Sequence, residues 1–185
     1  MLDEPTAKTL YHFAEANRLL KCGLTLSTKI DDYLSSVKLT VDDANELYYS
    51  YLLNSNAKAY SASSNTKVTK SLNDLAKVDL VKKFNNKEWT YNGAKTLNID
   101  SLRIASLLAH LSKDSSDLTD TRDYVVQGAR NLLKQGVTED GKVFYALTSA
   151  VTQKDSWLCS ESVNYHLLDV ITTSGSTDLL TAEQR

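Results

Sequence analysis

Ser162, His166 and Asp169 are spaced i, i+4 and i+7. On a helix this spacing puts a hydroxyl, an imidazole and a carboxylate on one side, the residue types of a nucleophile, its base and its orienter. Three groups strung along one helix rarely converge on a single proton path. His166 also falls on an apolar stripe with Val163, Leu167, Val170 and Ile171. We therefore read it as a packed histidine and assign no catalytic residue. His12 and His110 stand apart from it, no His-x3-His or Cys-x2-Cys pair occurs, and neither a metal site nor a cofactor is expected. Asp114, Asp117, Asp120 and Asp123 recur every three residues, whereas a calcium loop needs oxygens at alternate positions and a central glycine. A polar linker with an N-cap at Asp120 accounts for them. The six glycines are scattered, mostly at helix ends, and form no phosphate loop.

Tyrosine is the abundant aromatic, with ten in the chain. Tyr48, Tyr49 and Tyr145 suit either packing with bonded hydroxyls or a groove for a sugar or peptide. Trp89 and Tyr91 lie in a stretch that breaks the helical period, where a ring can either anchor a partner or pack back over the helix ends. Trp89, Tyr91 and Tyr49 are thus the candidate partner-binding residues.

The elements that carry these residues are helical. The chain has 185 residues, a size for one domain over 1–185. Its net charge of −2 argues against a nucleic-acid surface. The lysines between Lys58 and Lys95 are interrupted by Asp74, Asp79 and Glu88, as on a solvated helix face. No run of 18 apolar residues occurs, so no membrane span is expected. The polar, acidic start excludes an intact signal peptide. Cys22 and Cys159 make no disulfide framework.

About eight helices are expected, with Pro5 in the first turn of the first, stops at Gly23 and Gly136, a capping box of Thr40 and Asp43 before the third, and caps at Asp100 and Ser160. Thr177-Asp178 opens a ninth, as a piece of a longer chain would. Residues 85–99 break the period, and Asn92-Gly93 predicts a small β-hairpin near residues 88–97. The stretch 138–142 reads as a turn. Helix starts at Leu10, Leu47, Leu102 and Val143 repeat one pattern, "LYHFAEA", "LYYSYLL", "LRIASLL" and "VFYALTS". This predicts an all-α fold of four αα-hairpins in two layers, an α/α solenoid or partial toroid. First helices, apolar on more than one side, form the interior; second helices, with one stripe, lie outside.

Leu10, Tyr11, Phe13, Ala14, Leu20, Lys21 and Cys22, followed by Leu47, Tyr48, Tyr49 and Ser50, resemble the luminal region of ribophorin II-type subunits of the oligosaccharyltransferase complex. The layout is more loosely similar to toroids of the terpenoid-cyclase and thioester-domain type, without their Asp-rich or Gly-Cys-Gly-Glu motifs. The ribophorin resemblance implies a subunit domain of a larger assembly with protein partners. It implies the ER lumen or a secreted location; without it the expected location is cytoplasmic. The expected function is a non-enzymatic structural or protein-interaction module. The alternative is a carbohydrate-binding or enzymatic toroid fragment with a tyrosine-rich groove.

Overall fold

The computed structural model of the chain describes residues 6–95, 97–113, 115–135, 137–139, 142–144 and 156–180. Helices dominate these residues, joined by two short antiparallel ribbons, which is the all-α class with a small β-hairpin that the sequence predicts. The chain divides into two compact units, Met1–Leu75 and Ala76–Arg185.

In the first unit, α1 (Ala7–Leu20) opens on Thr6, whose Oγ1 accepts from the Thr9 N–H at 3.3 Å. The sequence places its stop at Gly23, but Lys21 already turns left-handed at φ 53°. The Cys22 N–H bonds back to the Asn17 carbonyl, so the helix is closed before glycine is reached. After α2 (Ser27–Ser36), it is Asp43 rather than Thr40 that caps α3 (Ala44–Ser55), accepting from the Glu46 N–H at 2.9 Å, because the helix begins only at Ala44. Asp43→Ala is expected to cost about 1 kcal/mol. A urea melt followed by circular dichroism checks this, and an unchanged midpoint would discard the cap. A 3-10 turn over Ala57–Tyr60 leads to α4 (Thr66–Leu75).

Packing follows the apolar spacing. α3 buries Leu47, Tyr48, Tyr49 and Leu53 on both of its sides, against α1 and α4. α1 departs from the expected interior role of first helices. It buries only Ala7, Leu10 and Ala14, one stripe, and leaves Phe13, Leu19 and Leu20 exposed.

The second unit begins with a wide π turn, Ala76–Leu80, and one turn of α5 (Val81–Lys83). β1 (Phe84–Asn85) then pairs antiparallel with β2 (Thr90–Tyr91), Phe84 opposite Tyr91. The hairpin therefore sits earlier than the sequence places it. Asn92 and Gly93 do take left-handed angles, φ 52° and 76°, and the Ala94 N–H closes on the Tyr91 carbonyl at 3.0 Å. That turn leaves β2 rather than joining two strands, because the Asn92 N–H is spent on the Lys83 carbonyl at 3.0 Å.

α6 (Ile99–Lys113) is capped by Asn98, not Asp100: Asn98 Oδ1 accepts from the Ser101 N–H at 2.9 Å and Ser101 Oγ accepts from the Asn98 N–H at 3.0 Å. Leu102, Ile104, Leu107 and Leu108 are buried on all sides of α6, as its sequence requires. A 3-10 turn, Ser116–Leu118, precedes α7 (Thr119–Gln135), so Asp120 lies inside the first turn rather than at the cap. β3 (Val137–Glu139) pairs antiparallel with β4 (Lys142–Phe144). This replaces the plain turn and the helix start at Val143. Val137, Val143 and Phe144 on either side of Asp140-Gly141 are a hairpin composition. The remainder of that predicted helix, including Tyr145, lies outside the described residues. α8 (Ser156–Thr173) starts four residues ahead of Ser160 and packs on α6 through Val163, Leu167, Val170 and Ile171. A 3-10 turn, Thr177–Leu179, stands where a ninth helix was expected to open.

Candidate functional site

The side chains nearest to enzyme chemistry lie between α6 and α8. Ser106 and His110, one turn apart on α6, face His166 and Asp169 on α8. Ser106 Oγ is 2.7 Å from His166 Nδ1, and His110 Nε2 is 3.1 and 3.2 Å from the two Asp169 oxygens. Ser162 has no part in these pairs; the hydroxyl comes from the other helix. Ser106 is fully buried and His166 is nearly so. Burial lowers the His166 pKa to about 4, against the attraction of Asp169 and with the repulsion of Arg103, so the ring is neutral at pH 7. Burial, the largest single influence, would raise the Asp169 carboxyl, but the hydrogen bond and electrostatic attraction of His110, together with Ser106 and His166, outweigh it and hold it below the usual range. A fully buried serine beside a neutral histidine offers a substrate no approach. The four groups satisfy one another across two packed helices.

Trp89, Tyr91 and Tyr49 are all inside the fold, at 0%, 5% and 7% exposure. Trp89 takes φ 48° and lays its indole edge-on to Phe84, ring centres 6.0 Å apart. A Cβ on Gly128 of α7 would lie 2.7 Å from Trp89 Nε1 and 3.1 Å from the Asn86 carbonyl oxygen. Glycine at 128 is thus what lets the indole reach the helix backbone. Trp89 Nε1 is the buried side-chain nitrogen left without an acceptor among the described residues. Tyr124, one turn before Gly128, donates its hydroxyl to the Phe84 carbonyl at 2.9 Å, and Asn86 Nδ2 donates to the Tyr124 carbonyl at 3.0 Å. These bonds tie the β1–β2 ribbon to α7.

In the first unit Tyr49 stacks edge-on with Tyr48 and His12, and at a tilt with Tyr11. With Tyr48 and Tyr49 buried, neither faces a groove. Tyr33 donates to Glu46 and pairs with Ser50 Oγ at 2.9 Å; burial, then the adjacent carboxylate, raises its pKa. Tyr60 donates to Glu15 Oε1 at 2.6 Å and is raised for the same reasons. Glu15 is bonded by Arg18 at 2.7 Å, and this bond first, then that from Tyr60, lowers its carboxyl. A cleft of about 170 Å³ opens beside these groups, lined by Ala14, Asn17, Arg18, Leu24, Ala59 and Tyr60 among others.

Sequence reasoning missed Gly128, Tyr124 and the pairing of Ser106 with His166. Gly128 carried a signal: glycine inside a strong helical pattern costs about 1 kcal/mol relative to alanine, so it marks a close approach. Ser106 and Tyr124 carried none, because their partners are 60 and 40 residues away. Asp117, read as linker, bonds Lys77 at 2.9 Å, while Asp114 lies outside the described residues. Among the described residues no three His, Cys, Asp or Glu side chains are grouped so as to hold a metal ion, and no helix is long and apolar enough to cross a membrane.

The described residues are thus mostly helical, with buried polar groups between α6 and α8 that satisfy one another. The chain belongs to the ribophorin II N-terminal domain family, whose model matches residues 2–156. That is the family its first sixty residues resemble. No curated protein and no solved structure matches it.

Proposed function

We propose that this chain is a non-catalytic domain of an oligosaccharyltransferase subunit, holding protein partners together rather than acting on a substrate. The observation that carries this reading is the family match over residues 2–156. The burial of Ser106 and His166 supports it, since the residues most like a catalytic set are occupied with each other. In this reading Trp89, Tyr91 and Tyr49 serve partner binding from within, by keeping the surfaces around them in shape. The test is purification of the tagged full-length protein from detergent-solubilised membranes. Stoichiometric recovery of the complex's catalytic subunit is expected, together with no glycan transfer by the isolated protein. Recovery without other subunits, or turnover by the protein alone, would overturn the reading.

A further inference from the structure

Asn92-Gly93 is the one Asn-Gly pair of the chain, and the ribbon does not use it to join its two strands. Both residues are exposed and left-handed, at φ 52° and 76°, and the Ala94 N–H closes on the Tyr91 carbonyl at 3.0 Å. Positive φ at both central residues makes this a turn of the I′ form. On its strand side the Asn92 N–H is bonded to the Lys83 carbonyl at 3.0 Å. Neither bond uses the Gly93 N–H. A Cβ on Gly93 would meet nothing within 4 Å, so the turn is open on that side. Lys83 also enters through its side chain: Nζ donates to Asn92 Oδ1 at 3.0 Å.

An asparagine loses its amide when the backbone nitrogen of the next residue attacks its side-chain carbonyl carbon. A side chain on that next residue obstructs the attack, and so does a backbone that cannot swing the nitrogen toward the carbon. Gly93 removes the first obstacle. The turn removes the second. Rotating the Asn92–Gly93 peptide plane carries a I′ turn into II′, which keeps Asn92 at positive φ and asks only glycine to change sign. Both forms keep the bond between Ala94 and Tyr91. Asn54 is the contrast. It lies within α3, where helical hydrogen bonds fix its backbone, and its side chain is held by the Asn65 N–H at 2.6 Å and Thr69 Oγ1 at 2.9 Å.

We infer that Asn92 is a modification site, which its own chain converts to aspartate and isoaspartate with water as co-reactant and Lys83 as an assisting group. The Gly93 nitrogen gives its proton to solvent base and bonds to Asn92 Cγ. Negative charge builds on Oδ1, where the Lys83 ammonium already donates. The Cγ–Nδ2 bond then breaks, the nitrogen takes a proton from solvent and leaves as ammonia, and a cyclic imide remains. Water opens the imide at Cγ to give aspartate, or at the main-chain carbonyl to give isoaspartate, whose backbone runs through Cβ and Cγ. No oxidation state changes. Either product sets a new carboxylate beside Lys83, and the isoaspartate lengthens the turn that follows the buried Tyr91. The site does not depend on the assembly role proposed above.

The experiment incubates the full-length protein at neutral pH in heavy-oxygen water and maps its peptides by mass spectrometry, with isoaspartyl methyltransferase labelling as a second readout. Asn92 is expected to take up heavy oxygen faster than any other asparagine and to give both isomers. Gly93→Ala should slow the uptake by about tenfold, since its methyl obstructs the nitrogen. Lys83→Gln leaves the backbone bond to Asn92 in place. It should slow the uptake about threefold in the native protein and not in urea, where nothing brings Lys83 to a residue nine positions away. Uptake at Asn92 no faster than elsewhere, aspartate without isoaspartate, or an unchanged rate in Gly93→Ala overturns the site. A Lys83→Gln effect that persists in urea, or is missing from the native protein, overturns the part given to Lys83.

Discussion

Trp89→Ala is expected to be among the costliest truncations in the second unit, lowering unfolding free energy by about 3–5 kcal/mol. The indole is fully buried, and its loss leaves a cavity against Phe84 and α7 that a tethered ribbon cannot close. Trp89→Phe should cost much less, since it keeps most of the buried area and removes a nitrogen that has no acceptor. Gly128→Ala probes the same contact from the helix side. Better helix propensity favours alanine by about 1 kcal/mol. Overpacking opposes it by about 1–3 kcal/mol, at the upper end here because the obstacles are a rigid indole and a backbone carbonyl. A net loss of about 2 kcal/mol is therefore expected. Urea denaturation of the three variants measures these values. A stability unchanged by Trp89→Ala would mean that the indole is not a core element and would return it to the role of an exposed anchor.

Acid should weaken the α6–α8 seam more than its surface charges do. His166 is neutral in the fold, with a pKa of about 4 against an ordinary value of 6.5. Between those values the unfolded chain binds a proton that the folded chain does not, so stability is highest above pH 6.5 and declines as pH falls to 4. The full difference is on the order of 3 kcal/mol. Asp169 acts in the same direction lower down: its depressed pKa contributes stability that disappears as its carboxylate is protonated below the usual range. The groups facing the ring are Ser106, Arg103 and His110 from α6 and Asp169 from α8, so His166→Gln isolates its share. Unfolding free energies at pH 7.5, 6.0, 5.0 and 4.5 should fall steeply for the natural protein and much less for the variant. Equal slopes would assign the acid sensitivity to other groups.

Burial of α6 was legible because Leu102, Ile104, Leu107, Leu108 and Leu111 leave no side of a 3.6-residue helix polar. The end of α1 was not. Lys21 already turns left-handed two residues before Gly23, which does so as well, and Asn17 bonds both polar atoms of the Leu24 backbone, an arrangement that composition cannot announce. The same limit moved the ribbon. Asn92-Gly93 does form a turn, yet which neighbouring segment pairs with Thr90-Tyr91 depends on Phe84 being buried against Trp89 and Tyr124. Trp89 itself read as a candidate partner anchor because it lies in a stretch that breaks the helical period, and nothing local indicates that Gly128, 39 residues later, leaves room for it.

By itself, then, the sequence determined the helical class, the ribophorin II resemblance of the opening segment and the burial of α6, since these depend on residue types and spacing along one segment. Only the tertiary structure decided that Ser106 rather than Ser162 meets His166, and that Trp89 lies inside. It also decided that Phe13, Leu20 and Leu24 stay uncovered by their own unit. Each of these outcomes depends on which distant segment arrives to fill or leave a space, and periodicity within a helix carries no record of that arrival.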